Sequence, residues 1–318
     1  MLASYPDSRS ERDRWILAQR GPRNALDPMT PYAFFTEDEC STRGEVITVS
    51  TIFLTNRECP WRCLMCDLWQ NTLTETVPIG AIPAQIDYAL LRLPPASQIK
   101  LYNSGSFFDP HAIPVQDYAA IASRLANFDR VIVECHPALV TENCLRFKDQ
   151  VEAKLEIAMG LETVHSETLD KLNKRMTVEQ FADSAQILKE NDIDLRVFLL
   201  VKPPFLREDE VFEWTSRSLE FAFDCGATAV TLIPTRGGNG AMETLASIDK
   251  FSPPRLAMLE ACFAYGLRLG RGRVFADLWN TKQAGECASC YGLRISRLKE
   301  MNQEQNVLEP IICEICTA

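Results

Sequence analysis

The chain has 318 residues, of which 46% are apolar and 24% charged, and its formal net charge is −10 at pH 7. This composition is typical of a globular protein with one large core, and the acidic balance argues against a general nucleic-acid coat. The N-terminus lacks the apolar segment of a secretion signal, and no stretch reaches the length of a membrane span, so we expect a cytoplasmic protein without membrane contact.

After an N-terminal arm over residues 1–44, short β-rich runs alternate with longer amphipathic runs. The candidate strands are 45–55, 98–103, 130–135, 154–160, 194–201 and 228–233. Runs such as VFLLV are apolar on both faces, as expected of parallel strands that helices cover. The pattern predicts an α/β fold: a partial (β/α)6 TIM-type barrel over 45–252, with a C-terminal cysteine-rich metal-binding extension over 253–318.

Special residues follow five successive predicted strands. Parallel βα units place their active site at the carboxyl ends of the strands, so these residues are expected to share one site. They are Cys59–Cys66, Ser104-Gly105-Ser106, Cys135-His136, Gly160-Leu161-Glu162 and Lys202-Pro203-Pro204.

The stretch NRECPWRCLMC places Cys59, Cys63 and Cys66 directly after the first predicted strand. In a reducing compartment the twelve cysteines are poorly explained by disulfides, which favours metal ligation. Three soft thiolates suit an iron–sulfur cluster, and a missing fourth cysteine leaves one iron open to an exogenous ligand. A zinc knuckle with a remote fourth ligand is the structural alternative.

This spacing after the first strand of a βα series resembles the radical S-adenosylmethionine (radical SAM) superfamily. The resemblance covers about residues 45–235 and implies that Cys59, Cys63 and Cys66 bind a [4Fe–4S] cluster. It also implies that SAM chelates the unique iron and is cleaved reductively to a 5′-deoxyadenosyl radical, which abstracts hydrogen from a substrate.

The same resemblance suggests where SAM binds. Ser104, Gly105 and Ser106 occupy the place of the family's Gly-rich segment, which meets the amino group of SAM, although they depart from its usual two glycines plus acid. Glu162 corresponds to polar residues that bind the ribose hydroxyls, and Met65 to an aromatic residue that covers the adenine. Lys202, at a strand end, is a candidate for an anionic substrate or for the SAM carboxylate. Each of these residues also has an ordinary structural interpretation as a turn, cap or packing residue.

Two further pairs of cysteines lie at the C-terminus: Cys287 with Cys290, and Cys313 with Cys316. Each pair has the spacing of a metal knuckle, and together they provide four ligands. Structural zinc and an auxiliary four-iron cluster both satisfy this pattern.

The stretches SGSFFDP, GLET followed by LNKRMTVEQF, and LLVKPPFLREDE are similar to the archaeal radical SAM subunit of archaeosine synthesis and its bacterial relatives. That resemblance implies a modified nucleoside in tRNA as substrate with cleavage of a C–N bond, a lyase or oxidoreductase type of reaction, a reductant such as flavodoxin or ferredoxin, and a partner subunit. One alternative is a radical SAM enzyme that acts on a small metabolite or peptide with an auxiliary Fe–S cluster. Another is a non-catalytic metal-binding adaptor.

Overall fold

A computed structural model describes residues 4–281 and 286–315. One sheet of eight strands forms its centre. The strands are β1 Ala33–Cys40, β2 Val46–Phe53, β3 Gln98–Tyr102, β4 Arg130–Glu134, β5 Lys154–Glu162, β6 Asp194–Val201, β7 Ala227–Pro234 and β8 Arg273–Ala276. The six predicted strands correspond to β2–β7, and the sheet gains the unpredicted β1 and β8 at its edges.

The helices lie mostly between the strands, as expected of βα units. They are α1 Arg9–Gln19, α2 Ala81–Leu90, α3 Tyr118–Leu125, α4 Glu142–Lys148, α5 Ser166–Lys171, α6 Val178–Glu190, α7 Val211–Asp224, α8 Ala241–Ala246, α9 Leu256–Leu269 and α10 Tyr291–Glu304. The capping box predicted at the start of α6 is present, because Thr177 and Gln180 exchange hydrogen bonds. In the described ranges, no helix is both long and apolar enough to cross a membrane.

The strands follow each other in chain order across the sheet. β1 pairs antiparallel with β2, and every later pair is parallel. The predicted partial barrel is therefore confirmed, with an antiparallel strand added at one edge. The seven parallel strands β2–β8 all point the same way, so the loops that follow them lie at one end of the barrel, where the predicted site residues lie.

The opposite end of the barrel interior holds charged side chains instead of apolar ones. Arg196 is 2% exposed and pairs with Glu39 of β1 and with Glu156 of β5, which is 0% exposed. Lys100 pairs with Glu39, and both Arg130 and Arg273 pair with Glu156. This network links β1 to strands across the barrel, so charge pairing holds the edge strand in place.

The N-terminal helix packs beside the predicted cluster loop. Trp15 and Ile16 of α1 form a small core with Leu64 of the loop and with Met242 and Leu245 of α8. The apolar face of α1 therefore covers the back of the loop that carries the three cysteines.

Candidate active site

Cys59, Cys63 and Cys66 line one cavity of 310 Å³ at the carboxyl ends of the parallel strands. The loop that carries them follows β2, and the remaining walls come from the ends of β3, β4, β5, β6 and β7. Such a cavity is the usual position of an active site in this architecture.

Hydrogen bonds from distant segments fix the cysteine loop. Leu64 donates its backbone N–H to the carbonyl of Leu172 at 2.9 Å. The side-chain amide of Asn173 donates to the carbonyl of Arg62 at 2.8 Å. Because Leu64 is also fully buried, the backbone between the first and last cysteine is held in one position.

Burial raises the pKa of all three thiols, and it brings that of Cys63 to about 12. A buried thiolate needs a bound cation to stay ionised, so these three cysteines could hold a metal ion or cluster. The three sulfur atoms do not all lie within 4.8 Å of one another. Three thiolates on a single tetrahedral ion would lie closer together than this.

The segment after β3 backs onto the first cysteine. A Cβ added at Gly105 would lie 3.0 Å from the Cβ of Cys59, so this position has room for little more than a glycine. Ser104 lines the cavity in a left-handed backbone conformation, and its Oγ is 2.8 Å from the hydroxyl of Tyr32. Ser106 lies behind the cavity wall, where its Oγ accepts the N–H of His136 at 2.6 Å.

Glu162 enters the cavity from the end of β5. The pairing of β5 with β6 shifts register between Gly160 and Glu162, and Glu162 has a φ of 65°. This irregularity directs its carboxylate inward, where it pairs with Lys174 at 2.5 Å. Both side chains line the cavity.

The two remaining predicted residues differ in position. Met65 lines the cavity and packs beside the core formed with α1. Lys202 is not among the described residues that line it. Its Nζ donates to Ser252 at 2.8 Å and pairs with Glu208.

Sequence reasoning left several lining residues without a role. Trp61, inside the cysteine loop, stacks on His136 with ring centroids 3.8 Å apart and an interplanar angle of 11°. Nδ1 of His136 accepts the N–H of Ala138, which leaves Nε2 to donate to the carbonyl of Lys174 at 3.0 Å. Burial and the charge of Lys174 lower the pKa of this histidine to about 3, so it is neutral. Glu134 at the end of β4 is a further lining residue.

The C-terminal cysteines form a second, tighter group. The sulfur atoms of Cys287, Cys290 and Cys313 all lie within 4.8 Å of one another, and those of Cys287 and Cys313 are 3.9 Å apart. These three residues can hold a metal ion, as the sequence predicts. Cys316, the predicted fourth ligand, lies outside the described residues.

No family model matches the chain. The chain is 25% identical over 250 residues to an uncharacterised protein of Methanocaldococcus jannaschii, covering 74% of this chain and 68% of that protein. It is 28% identical over 241 residues to archaeosine synthase subunit beta of Methanosarcina acetivorans, covering 71% of this chain and 68% of that protein.

Among solved structures, methylornithine synthase aligns with a TM-score of 0.50 and 13% identity, over 70% of this chain and 64% of that one. Coproporphyrinogen III oxidase of Escherichia coli, described as a radical SAM enzyme, aligns with a TM-score of 0.41 and 14% identity, over 76% of this chain and 51% of that one. The predicted resemblance is confirmed: this chain is similar to archaeosine synthase subunit beta, and its alignment with methylornithine synthase shows a shared fold.

Proposed function

We propose that this chain is a radical SAM enzyme whose [4Fe–4S] cluster is held by Cys59, Cys63 and Cys66. The observation that carries the proposal is that one anchored loop brings the three cysteines into a single cavity at the carboxyl ends of the parallel strands. When bound there, the cluster would supply the electron for reductive cleavage of SAM to a 5′-deoxyadenosyl radical, which would abstract hydrogen from the substrate.

The residues of the chain bind SAM and exclude water. Glu162 uses one carboxylate oxygen for Lys174, and its second oxygen is the acceptor that we assign to the ribose hydroxyls. Met65 is the apolar cover that we assign to the adenine. Trp61, stacked on the neutral His136, closes the wall next to the cluster and keeps solvent from it.

The C-terminal group is, in this proposal, a structural zinc site completed by Cys316. Zinc–sulfur bonds of about 2.3 Å at tetrahedral angles place two sulfur ligands about 3.8 Å apart. The 3.9 Å between Cys287 and Cys313 matches that separation. In a four-iron cluster each cysteine binds a separate iron, and the sulfur atoms are correspondingly further apart.

For the substrate, we propose a modified nucleoside in tRNA, with cleavage of a C–N bond or a related modification. The support is the sequence similarity to archaeosine synthase subunit beta. The name of that relative as a subunit also supports a partner subunit for this chain. A flavodoxin or ferredoxin is the reductant that we propose. A small metabolite is the alternative substrate, and tRNA binding measured at several salt concentrations distinguishes the two.

Anaerobic reconstitution with iron and sulfide, followed by dithionite and SAM, tests the reaction class. Wild-type protein should release 5′-deoxyadenosine, and Cys63→Ala should release none. Cys225→Ala is the matched control, because Cys225 is a half-buried thiol at the end of α7 and is not among the cavity-lining residues. Reconstituted protein that binds iron but forms no 5′-deoxyadenosine would favour the metal-binding adaptor.

A further inference from the structure

Two aromatic rings meet across the inside of the barrel, between the cavity and the charged network. Tyr102 ends β3 and Phe198 belongs to β6, so they come from strands that are not neighbours in the sheet. Their ring centroids are 6.2 Å apart, with an interplanar angle of 81°. Each ring lies two positions beyond a residue of the network, Lys100 or Arg196, and residues two apart in a strand share a face. We call Tyr102 and Phe198 the aromatic floor.

The aromatic floor is not packed away by the fold. Phe198 lines the cavity, and both rings are only half-buried. Leu101 and Leu199, the neighbouring residues on the opposite face of the same strands, are 0% exposed. Ring surface that the barrel leaves uncovered next to a cavity is available to a ligand.

Tyr102 also offers a polar group. Across 4–281 and 286–315 its hydroxyl has no hydrogen-bond partner, and it is not fully buried. The hydroxyl of Tyr32, by contrast, is 2.8 Å from the Oγ of Ser104. Burial of the ring raises the pKa of Tyr102 to about 12, so the hydroxyl keeps its proton and can donate as well as accept.

This combination favours a planar conjugated ring with a polar edge. Apolar side chains form the adjoining wall of the cavity, and they are Ala158, Leu200 and Ile233. A sugar or an aliphatic chain presents no flat face to an aromatic ring, whereas a nucleobase presents a flat face and hydrogen-bonding edges. An enzyme that acts on a base in RNA must also take that base out of its stack, and aromatic side chains then replace the lost stacking.

We propose that the aromatic floor binds the nucleobase of the substrate, with one face of the base against Phe198 and its polar edge at the hydroxyl of Tyr102. The inference rests on the proposed function, because it places the base in the cavity that the three cysteines line. It narrows the substrate to one that carries a planar heterocycle. The charged network limits how deep the base can enter, since Lys100 and Arg196 already have their partners there.

The test is calorimetric binding of guanosine to the anaerobically reconstituted protein, saturated with S-adenosylhomocysteine so that the SAM site is occupied. Methyl riboside, which has the sugar without a base, is the comparison ligand. Phe198→Leu keeps an apolar side chain and removes the ring, whereas Tyr102→Phe keeps the ring and removes the hydroxyl. Phe212→Leu is the matched control, because it replaces an exposed ring of α7. Iron content and the affinity for S-adenosylhomocysteine verify that each variant retains the rest of the site.

We expect Phe198→Leu to weaken guanosine binding by about tenfold and Tyr102→Phe by about threefold. Phe212→Leu should bind guanosine as the wild type does, and methyl riboside should not distinguish any of the variants. An unmodified tRNA transcript at the same salt concentration identifies the source of the base. Phe198→Leu weakens transcript binding if the base enters from RNA, and it weakens only guanosine binding if the substrate is a free nucleoside.

Two results would overturn the assignment: no guanosine binding by the wild type, or equal guanosine affinity in the wild type, Phe198→Leu and Tyr102→Phe. Failure of the proposed function is recognised separately. Reconstituted wild type that holds its iron but does not bind S-adenosylhomocysteine would contradict the radical SAM proposal, and guanosine binding to the same variants still decides whether the aromatic floor holds a base.

Discussion

The side-chain amide of Asn239 donates a hydrogen bond to the carbonyl of Leu64 at 2.7 Å, across 175 positions of the chain. The same amide also donates to the carbonyl of Cys66 at 3.1 Å. Its Oδ1 accepts the N–H of Met242 at the start of α8. One buried side chain thus joins the cysteine loop to the segment after β7.

Replacing Asn239 should therefore loosen the cysteine loop without touching a cysteine. Asn239→Asp keeps the oxygen that accepts from Met242 but turns two donated hydrogen bonds into contacts between a carboxylate and carbonyl oxygens. We expect a loss of about 1–3 kcal/mol in the free energy of unfolding for each carbonyl left without a donor, and faster loss of iron after reconstitution. Iron content after timed exposure to a chelator measures this. Iron retention equal to that of the wild type would contradict a role for Asn239 in fixing the loop.

Gly160 is a second position where a small change should disturb the site. A Cβ at this position would collide with the Oε1 of Glu162 and the Nζ of Lys174, and both atoms would have to move away from it. We expect Gly160→Ala to weaken SAM binding by about tenfold, because the displaced carboxylate no longer meets the ribose hydroxyls. Gly292→Ala is the control, since nothing lies within 4 Å of a Cβ at that helical position. Equal SAM affinity in both variants would count against the role of Glu162.

The sequence predicts β2–β7 well because each is an apolar run bounded by turns. It fails for β1, whose segment AFFTEDEC carries three acidic residues and falls within the predicted N-terminal arm over residues 1–44. In the structure Glu39 points into the barrel and meets Arg196 and Lys100, residues more than 60 positions away, and no local pattern reports such pairing. Glu134 was not predicted as a cavity residue, for a related reason. It ends a predicted strand, and only the fold places it beside the turn at 103–105.

Metal analysis should separate the two cysteine groups. We expect about one zinc ion per chain in addition to about four irons, because the sulfur separation of the C-terminal group suits a single tetrahedral ion. Cys287→Ser should remove the zinc, keep the iron and lower the melting temperature. Cys225→Ala should change neither metal. About eight irons and no zinc would show instead that the C-terminal cysteines bind an auxiliary cluster.

The charged network inside the barrel should make stability depend on pH in the acid range. Burial alone would raise the pKa of Glu156, but the positive charges of Arg196, Arg273 and Arg130 outweigh the effect of burial. They lower this pKa below the value of 4.5 that the carboxyl has in the unfolded chain. A carboxyl whose pKa is depressed in the folded protein stabilises the fold at pH values above its pKa in the unfolded chain. That contribution is lost as the pH falls through the folded pKa. Wild-type protein should therefore lose stability steadily on acidification below about pH 5.

Glu156→Gln isolates this contribution. At neutral pH the variant should lose about 3–5 kcal/mol in the free energy of unfolding, because three buried arginines lose their shared partner. Its stability should then fall less steeply than that of the wild type between about pH 5 and pH 3, since glutamine has no proton to gain. Urea titrations at several pH values measure both effects. Glu213→Gln, which breaks an exposed pair with Arg217, should follow the wild-type curve. Parallel pH curves for Glu156→Gln and the wild type would show that acid sensitivity arises elsewhere.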